Sequence, residues 1–209
     1  MTDNNTVPLS APRRLSYTGL TLRDAMLLVP ARDFTPWGID APPLEPGVYL
    51  TEALRRFASF DLEGSESAKL LLIDAVLVEI VPRYALLKVW KTEPLETDTL
   101  TGFADYLIAP KRAYLEAPLL CAVEAKKDDF EAGEIQCVAE MVACRWINAK
   151  RDVIIPIYGI VTNGGGWQFY SLTPESTVLK SSVFGTSNIP ELLGAVDFVC
   201  AACAANTEQ

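Results

Sequence analysis

Residues 99–109 read TLTGFADYLIA, residues 119–127 LLCAVEAKK, and residues 128–149 DDFEAGEIQCVAEMVACRWINA. The run LLCAVEA is almost wholly apolar with branched members, the pattern of a strand covered on both faces of a sheet. Side chains alternate along a strand, so Glu124 and Lys126 project from one face about 7 Å apart, and Val123 and Ala125 from the other. Residues 100–109 also read as a strand, with Gly102 at its start and Pro110 after it. Pairing of the two strands brings Asp105 beside Glu124. Two carboxylates and an ammonium at the end of an apolar strand pair are costly to desolvate without a partner. A divalent cation is one such partner, and oxygen-only ligands suit Mg²⁺ or Mn²⁺, not zinc. The bland reading is a strand that leaves the core at Glu124 and solvates its charges.

The helix that follows starts behind a polar turn with N-capping aspartates at 127–131 and runs to Ala149, burying Ile135, Val138, Val142 and Trp146. It carries Gln136 in its second turn, close to where the preceding strand leaves the sheet. Upstream, 49–60 reads as an amphipathic helix with Leu50, Ala53, Leu54 and Phe57 on one stripe. The stretch 67–81 is apolar nearly all round and reads as a buried helix stopped at Pro82. Glu79 lies near its end, either paired with Arg83 or pointed at a polar site. A strand begins within 84–91. Downstream, 153–162 resumes a strand in which Pro156 suggests an edge or a bulge. Asn163-Gly164-Gly165-Gly166 turns it into the returning strand 167–172, a hairpin by turn chemistry. Residues 1–15 carry no periodic pattern and read as a mobile arm. The Pro-rich 30–48 reads as an irregular covering segment pinned by Phe34 and Trp37. The chain thus divides into residues 1–48, arm and cover, and a single domain over 49–209, with its core at about 66–172 and a C-terminal helix at 188–205.

Composition narrows the chemistry. There is no histidine among the 209 residues, which removes Ser-His-Asp and Cys-His nucleophile systems, His-metal sites and a His general acid. The net charge of −9 argues against a strong nucleic-acid footprint of its own, since phosphate contacts need clustered Lys and Arg. Arg13-Arg14, Arg55-Arg56, Lys111-Arg112 and Lys126-Lys127 are short clusters that suit ordinary solvated surface. The five cysteines sit in apolar stretches with no framework spacing, as reduced core residues do, and Cys200-x-x-Cys203 suits packing better than zinc or redox work. Trp167, Tyr158 and Tyr170 suit the core better than an interface. Without a signal peptide or an unbroken apolar run of membrane length, a cytoplasmic protein is expected.

The order of helix, strand, strand with Asp105, strand with Glu124-x-Lys126, helix with Gln136, strand and hairpin resembles the PD-(D/E)XK nuclease superfamily. The runs VEAKK, IQCVAEMVA and IYGIVTNGGGWQFYSL look most like the nuclease domains of type I restriction motor subunits and their free-standing relatives. The resemblance spans about residues 66–172. It implies a restriction-endonuclease-like α/β fold, a mixed sheet flanked by helices with N-terminal and C-terminal additions. It also implies a metal-dependent endonuclease or exonuclease acting on DNA, in which Asp105, Glu124 and the carbonyl of Ala125 bind Mg²⁺. Lys126 positions or deprotonates the attacking water, Gln136 orients Lys126 or the scissile phosphate, and Glu79 matches an acidic residue on the first core helix, with Asp74 and Glu52 as substitutes. Ala104 stands where the family name has Pro. The acidic balance implies that DNA is acquired through a homodimer or a protein partner. The alternative is a restriction-fold protein that binds a protein or nucleic acid and does not cut, and a third reading leaves Asp105, Glu124 and Lys126 as a salt-bridge cluster only.

Overall fold

A computed structural model describes residues 14–62, 66–126 and 129–207. Of the arm expected over residues 1–15, residues 1–13 lie outside the described residues, as do Lys127 and Asp128, while Arg14 and Leu15 are tied down, by an ion pair to Glu96 and by pairing with Leu100. The fold is built on β5 (Phe103–Pro110) and β6 (Cys121–Ala125), which pair antiparallel with Tyr106 opposite Val123. All five residues of β6 are buried, as a strand covered on both faces requires. To one side, β3 (Leu87–Pro94) closes the sheet antiparallel to β5. To the other, β7 (Ile157–Thr162) runs parallel to β6, and β8 (Gly166–Leu172) and β9 (Val178–Gly185) follow antiparallel. With β2 (Thr35–Trp37) parallel to β9, the seven-stranded mixed sheet has the order β2-β9-β8-β7-β6-β5-β3. A separate two-residue parallel ladder joins β1 (Leu15–Ser16) to β4 (Leu100–Thr101).

The helices are α1 (Leu22–Leu27), α2 (Val48–Phe57), α3 (Glu66–Ile80), α4 (Phe130–Ala149) and α5 (Ile189–Ala204). Helix α4 covers one face over β6, β7 and β8, while α3 and α5 pack together on the other. Glycines set the closeness of α4: a methyl group on Gly159 would fall 2.5 Å from Cys137 Sγ, and one on Gly133 2.7 Å from a Val161 methyl. The buried face of α4 therefore centres on Cys137, Val138, Met141 and Cys144. Ile135, Val142 and Trp146, expected on it, are only half-buried, because α4 is also flanked by α1 and its apolar residues are spread around the axis. All five cysteines are buried free thiols.

Two sequence readings need correction. Pro156 marks neither an edge nor a bulge, because β7 begins at Ile157 and is an interior strand between β6 and β8; the proline precedes the ladder and loses no bond in it. The segment 30–48 is not wholly irregular, since Thr35–Trp37 pairs with β9. The glycine-rich turn forms as its chemistry dictates: Asn163 Oδ1 accepts from the N–H groups of Gly165 and Gly166 at 3.1 and 2.8 Å, and Gly164 takes φ of 82°, a conformation that costs glycine little. Trp167 and Tyr170 are in the core and Tyr158 is half-buried. Among the described residues, Thr186–Ala204 is long and apolar enough to cross a membrane. Here it packs against the sheet, with Leu192, Val196 and Val199 fully buried.

Candidate functional site

The ladder of β5 and β6, continued one residue past Tyr106 and Val123, sets Asp105 opposite Glu124. Asp105 Oδ2 accepts the backbone N–H of Ala125 at 2.8 Å, so the aspartate side chain takes the place of a ladder bond and is fixed against β6. Across the other ladder, Lys91 pairs with Tyr106 and Glu93 with Ala104, so Asp105 faces Thr92. Thr92 holds φ of 54°, a strained conformation for a β-branched residue and one that tends to collect at functional positions.

Glu124 is 1% exposed and points to the α4 face. Its Oε1 lies 2.6 Å from Nζ of Lys126. That ammonium also donates to Oε1 of Gln136 at 3.0 Å, and Gln136 Nε2 reaches Oε1 of Glu140, one turn further on, at 3.4 Å. The close approach of α4 at Gly133, where a methyl group would meet the Lys126 stem at 3.0 Å, holds that side chain along the helix. Asp105, Glu124, Lys126 and Gln136 are thus gathered at one end of the sheet, where Lys126 keeps 21% of its side chain in contact with solvent.

Glu140 is the residue that sequence reasoning missed. It is fully buried and sits behind Glu124. The two carboxyl groups hydrogen-bond each other when one holds a proton, and neither Glu124 Oε2 nor Glu140 Oε2 meets an N–H or ammonium donor among the described residues. Burial, and then the charge of Asp105, push the Glu124 carboxyl up to about 7, against the pull of Lys126. Burial and the charge of Glu124 raise Glu140 as well. Two buried carboxyl groups facing each other cannot both stay ionised without a cation beside them, and otherwise one keeps its proton. The signal was in the sequence: Glu140 is a lone acid within CVAEMVAC and stands four residues from Gln136, on the same helical face.

The acidic residue expected from the first core helix is not brought to this cluster. Gly164, just past the end of β7, packs on Lys69, so the N-terminal part of α3 is at the site end. Glu79, ten residues on, is roughly 15 Å further along the axis. Its Oε1 accepts the N–H of Gly47 at 2.6 Å, the residue that opens α2. Nor does it pair with Arg83, which binds Asp197 at 3.0 Å. Asp74 holds Lys91 and the Tyr106 hydroxyl on the opposite face from Glu124, and Glu52 pairs with Arg55 and Arg56 on the surface of α2. The basic pairs are mostly engaged in the same way, Arg14 with Glu96 and Arg112 with Glu116.

Among the described residues no group of three or more His, Cys, Asp or Glu side chains is arranged to hold a metal ion. Asp105 and Glu124 offer two carboxylates, and Ala125 lies between Glu124 and Lys126. Two carboxylates completed by a carbonyl and water suit Mg²⁺, which keeps several of its waters. Glu124 Oε2, which meets no N–H or ammonium donor among the described residues, fits that role. No protein-family model matches the chain, and no curated protein matches it significantly.

Proposed function

We propose that the protein is a PD-(D/E)XK-type, Mg²⁺-dependent nuclease that hydrolyses DNA phosphodiester bonds at the Asp105, Glu124 and Lys126 cluster. The observation that carries this reading is the convergence of those three side chains at the end of a buried strand pair, with one oxygen of Glu124 meeting no N–H or ammonium donor among the described residues. Asp105, Glu124 and the Ala125 carbonyl would hold the cation, with Mn²⁺ as a substitute. A bound divalent ion acidifies water and offsets charge on the phosphate. Lys126 anchors the attacking water or takes its proton, and Gln136, bonded to the ammonium, fixes where that lysine reaches. Glu140 braces Gln136 and Glu124 from behind. With a net charge of −9, the chain would acquire DNA through a second copy or a protein partner that supplies basic surface.

A second reading is a restriction-fold protein that binds a partner without cutting. The acidic charge and the engagement of the Lys126 ammonium by both Glu124 and Gln136 favour it. Calorimetric titration of Mg²⁺ and Mn²⁺ into the wild type, Asp105→Ala and Glu124→Ala proteins, with plasmid and single-stranded DNA cleavage on the same samples, separates the two. Metal binding and cleavage lost together in both variants support the nuclease. Metal binding without cleavage points to a missing partner or a substrate other than DNA, and a wild type that binds neither ion overturns the nuclease and leaves the second reading.

A further inference from the structure

The C-terminal half of α4 carries a polar feature that the candidate site does not use. A cavity of about 470 Å³ opens between that half of α4, Leu28 just after α1, the approach to β7 and the β8–β9 turn. Its walls are apolar, with Leu28, Val142, Trp146 and Ile154 among them, and Ile154 stands 76% exposed. One guanidinium lines this apolar space. Arg145 is half-buried, and its Nη1 donates to the Ser176 hydroxyl at 2.9 Å. Among the described residues no carboxylate pairs with it, and burial alone lowers its pKa. Asp152 and Glu175, the acids nearest to the cavity in the chain, are exposed. Lys150 sets a second cation 3.4 Å from the Trp146 ring centre.

An arginine partly withdrawn from water needs an anion or a set of acceptors to offset its lost hydration. A neutral hydroxyl supplies one acceptor to a group with five donors. The planar guanidinium matches a carboxylate or phosphate in two-pronged geometry, and the cavity volume is within the range of small-molecule sites. We infer that this cavity binds a small amphiphilic anion, an apolar body ended by a carboxylate or phosphate, with Arg145 and the Ser176 hydroxyl holding the acid group and the Trp146 and Ile154 walls holding the body. Arg145 lies roughly 13 Å along α4 from Gln136, so the inference does not depend on the nuclease reading.

The test is calorimetric titration of the full chain with octanoate, octyl phosphate and octanol, each below the concentration at which it aggregates. At least one of the two anions saturates a single site at least tenfold more tightly than octanol, and the ratio between the anions tells carboxylate from phosphate. Arg145→Gln reduces the anion to the affinity of octanol, and Arg145→Lys, which keeps the charge and loses the fork, falls between. Ile154→Glu, a rim substitution that leaves the core alone, weakens the favoured anion at least tenfold. If Arg145→Gln does not fold, Ser176→Ala takes its place, with a threefold or greater loss of the anion and none of octanol. Equal affinity for anions and octanol, no binding of either anion, or unchanged anion binding in the folded variants overturns the site.

Discussion

Helix α4 meets the two ends of β6 through buried polar side chains, Asn148 at the start of the strand and Glu140 from mid-helix at its charged end, and the two are provided for differently. Asn148 is 1% exposed and satisfied at both ends of its amide: its Oδ1 accepts the N–H of Leu119 at 2.7 Å and its Nδ2 donates to the Leu119 carbonyl at 2.8 Å. It clips the helix to the start of β6 and asks for nothing more. At the other end, Glu140 and its neighbour Glu124 are as deeply buried, yet Oε2 of each meets no N–H or ammonium donor among the described residues, and the two acids can bond each other only through a shared proton. A buried polar group that is fully matched stabilises its surroundings, whereas one left short costs free energy. The difference separates a structural amide from carboxylates suited to a proton, a cation or a substrate, and it gives the two ends opposite responses to mutation.

The largest effect expected is at the acidic end. Glu124→Gln and Asp105→Ala should each lower Mg²⁺-dependent DNA cleavage by about 10³-fold, near 4 kcal/mol of transition-state stabilisation. Glu124→Gln should at the same time raise the melting temperature of the metal-free protein, since it removes one of two opposed acids. Cleavage assays and calorimetry on the same samples check both, and a variant that loses stability along with activity would erase the contrast with Asn148. The same end should also respond to pH. Because the folded Glu124 carboxyl titrates near 7, well above its unfolded value, the folded state holds a proton that the unfolded state has released between about pH 4.5 and 7. Stability contributed by that proton is present below pH 4.5 and lost as pH rises through 7, on the order of 3 kcal/mol for the metal-free protein. Affinity for Mg²⁺ should climb through the same window, as the carboxyl ionises. Denaturant melts from pH 4.5 to 8 with and without Mg²⁺ measure the two slopes.

The unequal legibility of the two ends in the sequence has a physical cause. The strand VEA and the spacing of Glu124 and Lys126 follow from a two-residue period, and the hairpin at Asn163 follows from turn chemistry, so both could be read directly. The facing of Asp105 and Glu124 required only that neighbouring strands pair. Glu79 was another matter: periodicity finds a buried helix but does not say which end of it meets the sheet's charged edge, and only the packing of Lys69 on Gly164 fixes that. Glu140 and Asn148 both lie inside apolar runs, where a polar letter is as visible as any. Whether it is matched depends on Leu119 and Glu124, partners far away in the chain. Strand β2 escaped notice because three residues with a proline carry no period, and they become a strand only when β9 lies alongside.

At the satisfied end the expected change is smaller and of the opposite kind. Asn148→Ala strands the N–H and carbonyl of Leu119, which is 3% exposed, and should cost about 2 kcal/mol. That lowers the melting temperature by roughly 4–8 °C, with cleavage per folded molecule unchanged. A loss of cleavage beyond the loss of folded protein would mean that the two ends of β6 are coupled.

The smallest effect tests whether Glu79 belongs with the carboxylates of the cluster or with the structural group. Its carboxylate sits on the N–H of Gly47 at the opening of α2, where unpaired amides and the helix dipole favour a negative charge. Glu79→Gln keeps an acceptor and removes the charge, and Glu79→Ala removes both. The glutamine should therefore cost a few tenths of a kcal/mol and the alanine about 1 kcal/mol, a fall of roughly 2–4 °C in melting temperature for the alanine. Neither should alter cleavage or Mg²⁺ affinity. A cleavage loss in Glu79→Gln as deep as that in Glu124→Gln would return Glu79 to the site and require α3 to shift toward the charged edge of the sheet when substrate binds.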